Sequence, residues 1–284
     1  MEMKYIERNF TVRGVSAQSY ATVVTGFFDI GPFKRTNHEF RRRTFYYNGA
    51  GIFKRLRNML VVYSDSRPFL NHIKNIRSDR LNETKLIFFE RSSAWPFHLA
   101  KTIRRIYSSV SYPKHYPTTL SSLYTCTMHA KYYCLNHSAT NNFFKTKHIM
   151  WLDVGYFWRR LKTQRNFYLK TPNNFNDSKI AMTRIYTGRS IPRSPIDIIK
   201  HNHFLVGGGL VYGDINVMLQ FSSQYKRAVE YFLANNASNS DQQIILAIFT
   251  QEGRNAIKPE VEIQMYGTAS NRDWHFLGDS MIEE

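Results

Sequence analysis

Short runs of β-branched and aromatic residues, stopped by glycine, proline or aspartate, alternate along the chain with stretches whose apolar residues recur at helical spacing. Residues 21–28 (ATVVTGFF), closed by Asp29, Gly31 and Pro32, predict a buried strand that runs into a loop. Residues 58–63 (NMLVVY) predict a second strand and 85–90 (KLIFFE) a third, with a helix over 68–76 between them. A long helix is predicted over 120–139, where no helix breaker occurs, feeding a strand that ends at Asp153. Further strands are expected at 180–186, at 203–213 with a glycine break, and at 260–266. Asp214 is placed to cap a helix over 215–233, and Ser240 and Asp241 open another through Phe249. Residues 164–179 are polar and Asn-rich, which predicts a surface excursion or lid.

Strands alternating with helices are the pattern of an α/β fold, with a central, mostly parallel sheet flanked by helices. A length of 284 residues suits one large domain, 1–284, and the 43% hydrophobic and 15% aromatic content suits an ordered core. The net charge of +18 is uneven: residues 1–150 carry 24 Lys and Arg against 8 Asp and Glu, and residues 151–284 carry 15 against 13. Such a field attracts phosphates, nucleotides, anionic membrane surfaces or nucleic acid. The basic residues are dispersed, and no RNP, KH, zinc-finger or helix-turn-helix pattern accompanies them, which disfavours nucleic acid. Cys126 and Cys134 stand eight residues apart on one predicted helix, about 12 Å along its axis, too far to bridge. With no signal-like or membrane-spanning apolar run, the expected location is cytoplasmic or peripheral at a membrane surface. The sequons at Asn9, Asn82, Asn136, Asn176 and Asn236 matter only in a secretory compartment.

Candidate chemistry gathers in four places. Asp153 ends an apolar strand, is followed two residues later by Gly155, and is the first acidic residue after Glu90. Gly207, Gly208 and Gly209 interrupt a strand, where a bulge, a corner or a closely approaching ligand would explain them. More strand follows the triplet, so neither a dinucleotide fingerprint nor a P-loop is present. Asp241 and Gln242 lie at a helix start, where an acid also suits the helix dipole. Trp274, His275 and Gly278 offer an indole to cover a sugar or base and an imidazole for metal or phosphate.

The order of VVTGFFDIG, a helix carrying Lys131, WLDVGYF, GGGLVYG and Asp241-Gln242 resembles the HtrL/YibB-type (WlaTC/HtrL) glycosyltransferases over roughly residues 22–275. More distantly it is similar to the GT-A glycosyltransferases of family eight. The resemblance implies a GT-A-like domain with a nucleotide-binding half at about 20–155 and an acceptor and sugar half at about 156–280. It implies a nucleotide-sugar donor, a UDP-sugar by preference, and a glycan, lipid-linked or protein acceptor. It places Thr25, Phe27 and Asp29 beside the nucleoside, Lys131 near the phosphates, and Gly208 and Gly209 along the sugar pocket. Asp241 and Gln242 would face the transferred sugar as the catalytic pair, with retention slightly favoured over inversion. Asp153 and His275 would hold a divalent metal, Mn or Mg, with Gly155 beside the donor and Gly278 closing over its phosphates. The chain departs from the usual DxD, because Asp153-Val154-Gly155 lacks the second carboxylate. Two other readings stay open: a basic protein that binds polyanions or nucleic acid, and an inactive GT-A-like protein that only binds a glycan.

Overall fold

The computed structural model describes residues 20–284, so the sequon at Asn9 lies outside the described residues. Seven strands form one sheet: β1 (Thr22–Phe27), β2 (Leu60–Ser64), β3 (Thr84–Phe88), β4 (His148–Leu152), β5 (Lys179–Arg184), β6 (Val206–Asp214) and β7 (Glu262–Tyr266). Their spatial order is β3-β2-β1-β4-β6-β5-β7. Every pairing is parallel except the two made by β6, which runs against both β4 and β5. The expected mixed, mostly parallel sheet flanked by helices is the architecture found.

Side chains alternate across each central strand, and that alternation divides the core. Val24, Val61 and Trp151 point to one face, where they pack with Leu135, Phe221 and Tyr225. Val23, Val62 and Met150 point to the other, with Phe53, Phe69 and Leu169. Strands buried on both faces need continuous apolar runs, which is why these segments lack a polar period. Each fully buried valine, leucine or phenylalanine contributes about 1.5–3 kcal/mol relative to exposure.

Five helices matter for the site: α1 (Arg43–Gly49), α2 (Arg67–Ile76), α3 (Ser122–Asn141), α4 (Ile215–Ala234) and α5 (Asp241–Ile248). Ser66, Ser121 and Asp214 cap α2, α3 and α4 by accepting from Phe69, Tyr124 and Asn216 backbone N–H groups. Helix α3 ends at Asn142, whose φ of 34° is left-handed. It is buried over most of its circumference, so His129, Lys131 and Ser138 lie in the interior alongside Cys134 and Leu135. Both cysteines are free and buried. Among the described residues no helix is long and apolar enough to cross a membrane.

Two expectations are sharpened. Of residues 164–179, expected as a surface excursion or lid, 164–166 and most of 173–178 are exposed, but Phe167 and Leu169 are buried, and Tyr168–Leu169 pairs antiparallel with Ile282–Glu283. The buried Asn58 amide holds this strap, donating to the Leu169 carbonyl at 3.0 Å and accepting from the Leu169 N–H at 2.8 Å. Gly207, Gly208 and Gly209 lie within continuous β6, and the bulge that would explain them is there: pairing with β5 passes from Met182–Val211 directly to Thr183–Gly207, leaving Gly208, Gly209 and Leu210 out of register.

A second interior cation lies away from these glycines. Arg77, at the end of α2, is fully buried. Its guanidinium donates to the carbonyls of Phe53, Leu56 and Asn58 and to Thr84 Oγ1. Burial lowers its pKa to about 10. The excess carbonyls of the turn at residues 53–58 are thereby satisfied without a carboxylate partner.

Candidate functional site

The chain leaves β1 toward β2 and β3, then crosses back to lay β4 on the other side of β1. Such a switch opens a crevice at the carboxyl ends of the strands, where open α/β sheets place ligands. A cleft of about 640 Å³ lies there, lined by Phe27 and Asp29 after β1 and by Asp153 and Gly155 after β4. Because β6 is reversed, its starting residues reach the same edge: the Asp153 N–H donates to the Gly209 carbonyl at 2.9 Å. Gly208, Gly209, Asp241, Gln242, Lys131 and His275 also line the cleft.

At its floor, the Lys131 ammonium donates to the Gly208 carbonyl at 2.9 Å. It stands 3.3 Å from Asp153 Oδ1 and 3.1 Å from Asp241 Oδ2. The second contact is an ion pair rather than an aligned hydrogen bond, and Oδ2 has no hydrogen-bond partner. The carboxylates differ in access: the Asp153 side chain is 42% exposed and that of Asp241 2%. Burial pulls the Lys131 ammonium down, but the Asp153 and Asp241 charges overcome it and raise its pKa above the ordinary lysine value. Burial raises the Asp241 pKa, with Lys131 opposing and Asp153 reinforcing. Trp151 Nε1 donates to Asp153 Oδ1 at 2.6 Å, fixing that carboxylate from the strand behind it.

The glycines build the wall. A Cβ at Gly208 would lie 2.5 Å from Asp241 Oδ2, and one at Gly209 2.8 Å from Tyr156 Cδ2. Their bare backbones therefore admit Asp241 and Tyr156 to the site before any ligand is considered. Gln242 Nε2 donates to the Val206 carbonyl at 2.7 Å, anchoring the start of α5 to β6.

Two of the proposed donor residues do not line the cleft. Thr25 is fully buried, and its hydroxyl donates to the Leu152 carbonyl at 2.6 Å, tying β1 to β4. Gly278 lies behind the wall: its N–H donates to Tyr156 Oη at 3.2 Å, and a Cβ there would come within 2.4 Å of the tyrosine ring. Other lining residues escaped the sequence reading as site groups. Arg35 and Arg41 come from a small hairpin (Phe33–Lys34 with Phe40–Arg41), Arg43 opens α1, and Arg159 follows Trp158. Residues 41–43 are three consecutive arginines, and periodicity carries no sign that such a run folds over the cleft. Tyr46 also lines it, and burial, with Asp153 adding to it, raises its phenol pKa to about 12.

The side chains present do not assemble the donor set of a divalent metal. Asp153 Oδ1 is faced by an ammonium and an indole N–H, and His275 Nδ1 lies 3.4 Å from Asp273 Oδ1. Among the described residues no three His, Cys, Asp or Glu side chains converge.

The sequence matches, over residues 19–254, the model of a family described as "Bacterial protein of unknown function (HtrL_YibB)". No curated protein matches the chain. Among solved structures, the 4-diphosphocytidyl-2C-methyl-D-erythritol synthase from Anaerococcus prevotii is similar at 8% identity and a TM-score of 0.36, with 91% of each chain covered.

Proposed function

The chain belongs to the HtrL_YibB family, and we propose that it is a glycosyltransferase moving a sugar from a nucleotide-sugar donor, by preference a UDP-sugar, to a glycan or glycoconjugate acceptor. The observation that carries this reading is the Lys131–Asp153–Asp241 cluster on the floor of a glycine-walled, arginine-rimmed cleft at the sheet's switch point. Transfer breaks the bond between the anomeric carbon and the diphosphate, which leaves with the bonding electrons, while positive charge develops on the sugar. Fixed charges on both sides lower that barrier.

In this reading Asp153, the exposed carboxylate, meets the donor, and Asp241 holds Lys131 charged from behind. Gln242, anchored through its amide N–H, offers its amide oxygen to a sugar hydroxyl. Retention is favoured, because carboxylates clamped by one ammonium are better placed to balance positive charge than to carry a proton away. The acceptor proton then passes to the departing diphosphate oxygen. Asp153→Ala is expected to lower transfer or donor hydrolysis by roughly 100-fold or more in a protein that still folds, with a modestly lowered melting temperature because Trp151 and Lys131 lose an acceptor. A folded Asp153→Ala protein with full activity would show the assigned site to be wrong.

A further inference from the structure

Five cationic side chains (Arg35, Arg41, Arg43, Lys131, Arg159) and three carboxylates (Asp29, Asp153, Asp241) line the cleft. The Lys131 ammonium already occupies the space between Asp153 and Asp241, where a second cation would meet its repulsion in a poorly hydrated floor. The guanidinium groups at the rim are differently held. Arg41 lies 3.6 Å over the Phe45 ring and pairs with Glu39 at 2.8 Å, which fixes it in place. Gly155 makes that possible: a Cβ there would press on Phe45 at 3.0 Å, so a larger residue would disturb the ring that carries Arg41. Arg43 and Arg159, 67% and 61% exposed, make long ion pairs, 3.5 Å to Asp29 and 3.9 Å to Asp273, and Arg159 lies 5.8 Å over the Trp158 ring. These two can turn to a ligand at little cost.

We propose that this site binds the diphosphate of a nucleoside diphosphate without a metal ion, using Arg41, Arg43 and Arg159 as its counter-charges and Lys131 as the resident cation on the cleft floor. The inference rests on the nucleotide-sugar reading and adds to it how the leaving group is held. Guanidinium forks suit phosphate oxygens bidentately, and three of them offer more donors than a single phosphate can take up, which favours a diphosphate over a monophosphate.

The test is calorimetric titration of the full chain with UDP and with UMP, once in EDTA and once with Mn²⁺. UDP is expected to bind in EDTA with a Kd within about threefold of that in Mn²⁺ and more tightly than UMP. Arg43→Ala and Arg159→Ala should each weaken UDP by about tenfold, the loss of one charge-assisted contact, and leave UMP nearly unaffected. UDP binding that requires Mn²⁺ overturns this inference and leaves the nucleotide reading standing. Failure of UDP to bind in either condition overturns both. In Lys131→Met, the floor carboxylates should gain Mn²⁺ binding that the wild type lacks, read by Mn²⁺ titration alone. Mn²⁺ binding by the wild type itself also overturns the inference, and that arm does not depend on the variant folding.

Discussion

Among the described residues two cations, Arg77 and Lys131, are buried in opposite ways. Arg77 is surrounded by neutral carbonyls and a threonine hydroxyl, and burial depresses its pKa. Lys131, equally inaccessible, faces one carbonyl and two carboxylates, and its pKa is raised. The first arrangement satisfies backbone groups and presents nothing to solvent. The second ends in a half-exposed carboxylate on a cleft wall. A buried cation is thus not in itself a sign of a site; what distinguishes the two regions is whether its partners carry charge and whether one of them reaches the solvent.

The sharpest way to break the comparison is to remove each cation. Arg77→Met should cost roughly 3–5 kcal/mol in urea unfolding, because three buried carbonyls lose their donor, while any folded fraction keeps its nucleotide affinity. Lys131→Met should cost less, about 2–3 kcal/mol, since Asp241 can take up a proton in exchange, yet abolish transfer. Equal stability losses with activity kept in both would erase the distinction.

The next effect is in pH dependence. The folded-state pKa of Asp241 is raised, so the folded chain holds its proton more tightly than the unfolded chain does. Stability is then greatest below the usual aspartate value and falls as pH rises through the raised one, by at most about 1.4 kcal/mol per unit. Asp241→Asn should flatten that part of the profile in thermal melts across pH 4 to 7, and an unchanged slope would place the effect elsewhere. The smallest effect concerns Thr25, whose hydroxyl serves only the Leu152 carbonyl. Thr25→Val should cost about 1 kcal/mol with Kd for UDP unchanged within error, as befits a residue of the sheet interior.

Much of this site was legible in the order of the residues. Asp153, Lys131, Gly208, Gly209, Asp241 and Gln242 all reach one cleft, because strand ends and helix starts are where a sheet of this kind presents side chains. Thr25 and Gly278 were assigned to the donor because a sequence cannot tell a hydroxyl facing a ligand from one spent on a neighbouring strand. The arginines were missed as a group because they arrive from a two-residue hairpin, a helix start and a turn, none of which has a periodic signature. The buried strap within 164–179 was hidden for a related reason: its buried residues, Phe167, Leu169 and Pro172, are outnumbered by exposed polar neighbours, and the residue that seats it, Asn58, lies far away in the sequence.

The reversed strand β6 has a consequence for how the molecule opens. Within the sheet, β5 and β7 reach β4 and β1 only through β6, so a fluctuation that unzips β6 from β4 separates the two ends of the sheet at one seam. The Asp153 N–H bond to Gly209 and the Lys131 bond to Gly208 cross that seam. Amide exchange at Trp151 and Val211, paired partners on either side, would therefore report the same opening event that dismantles the cleft. A ligand bridging the two carboxylates would slow both amides together.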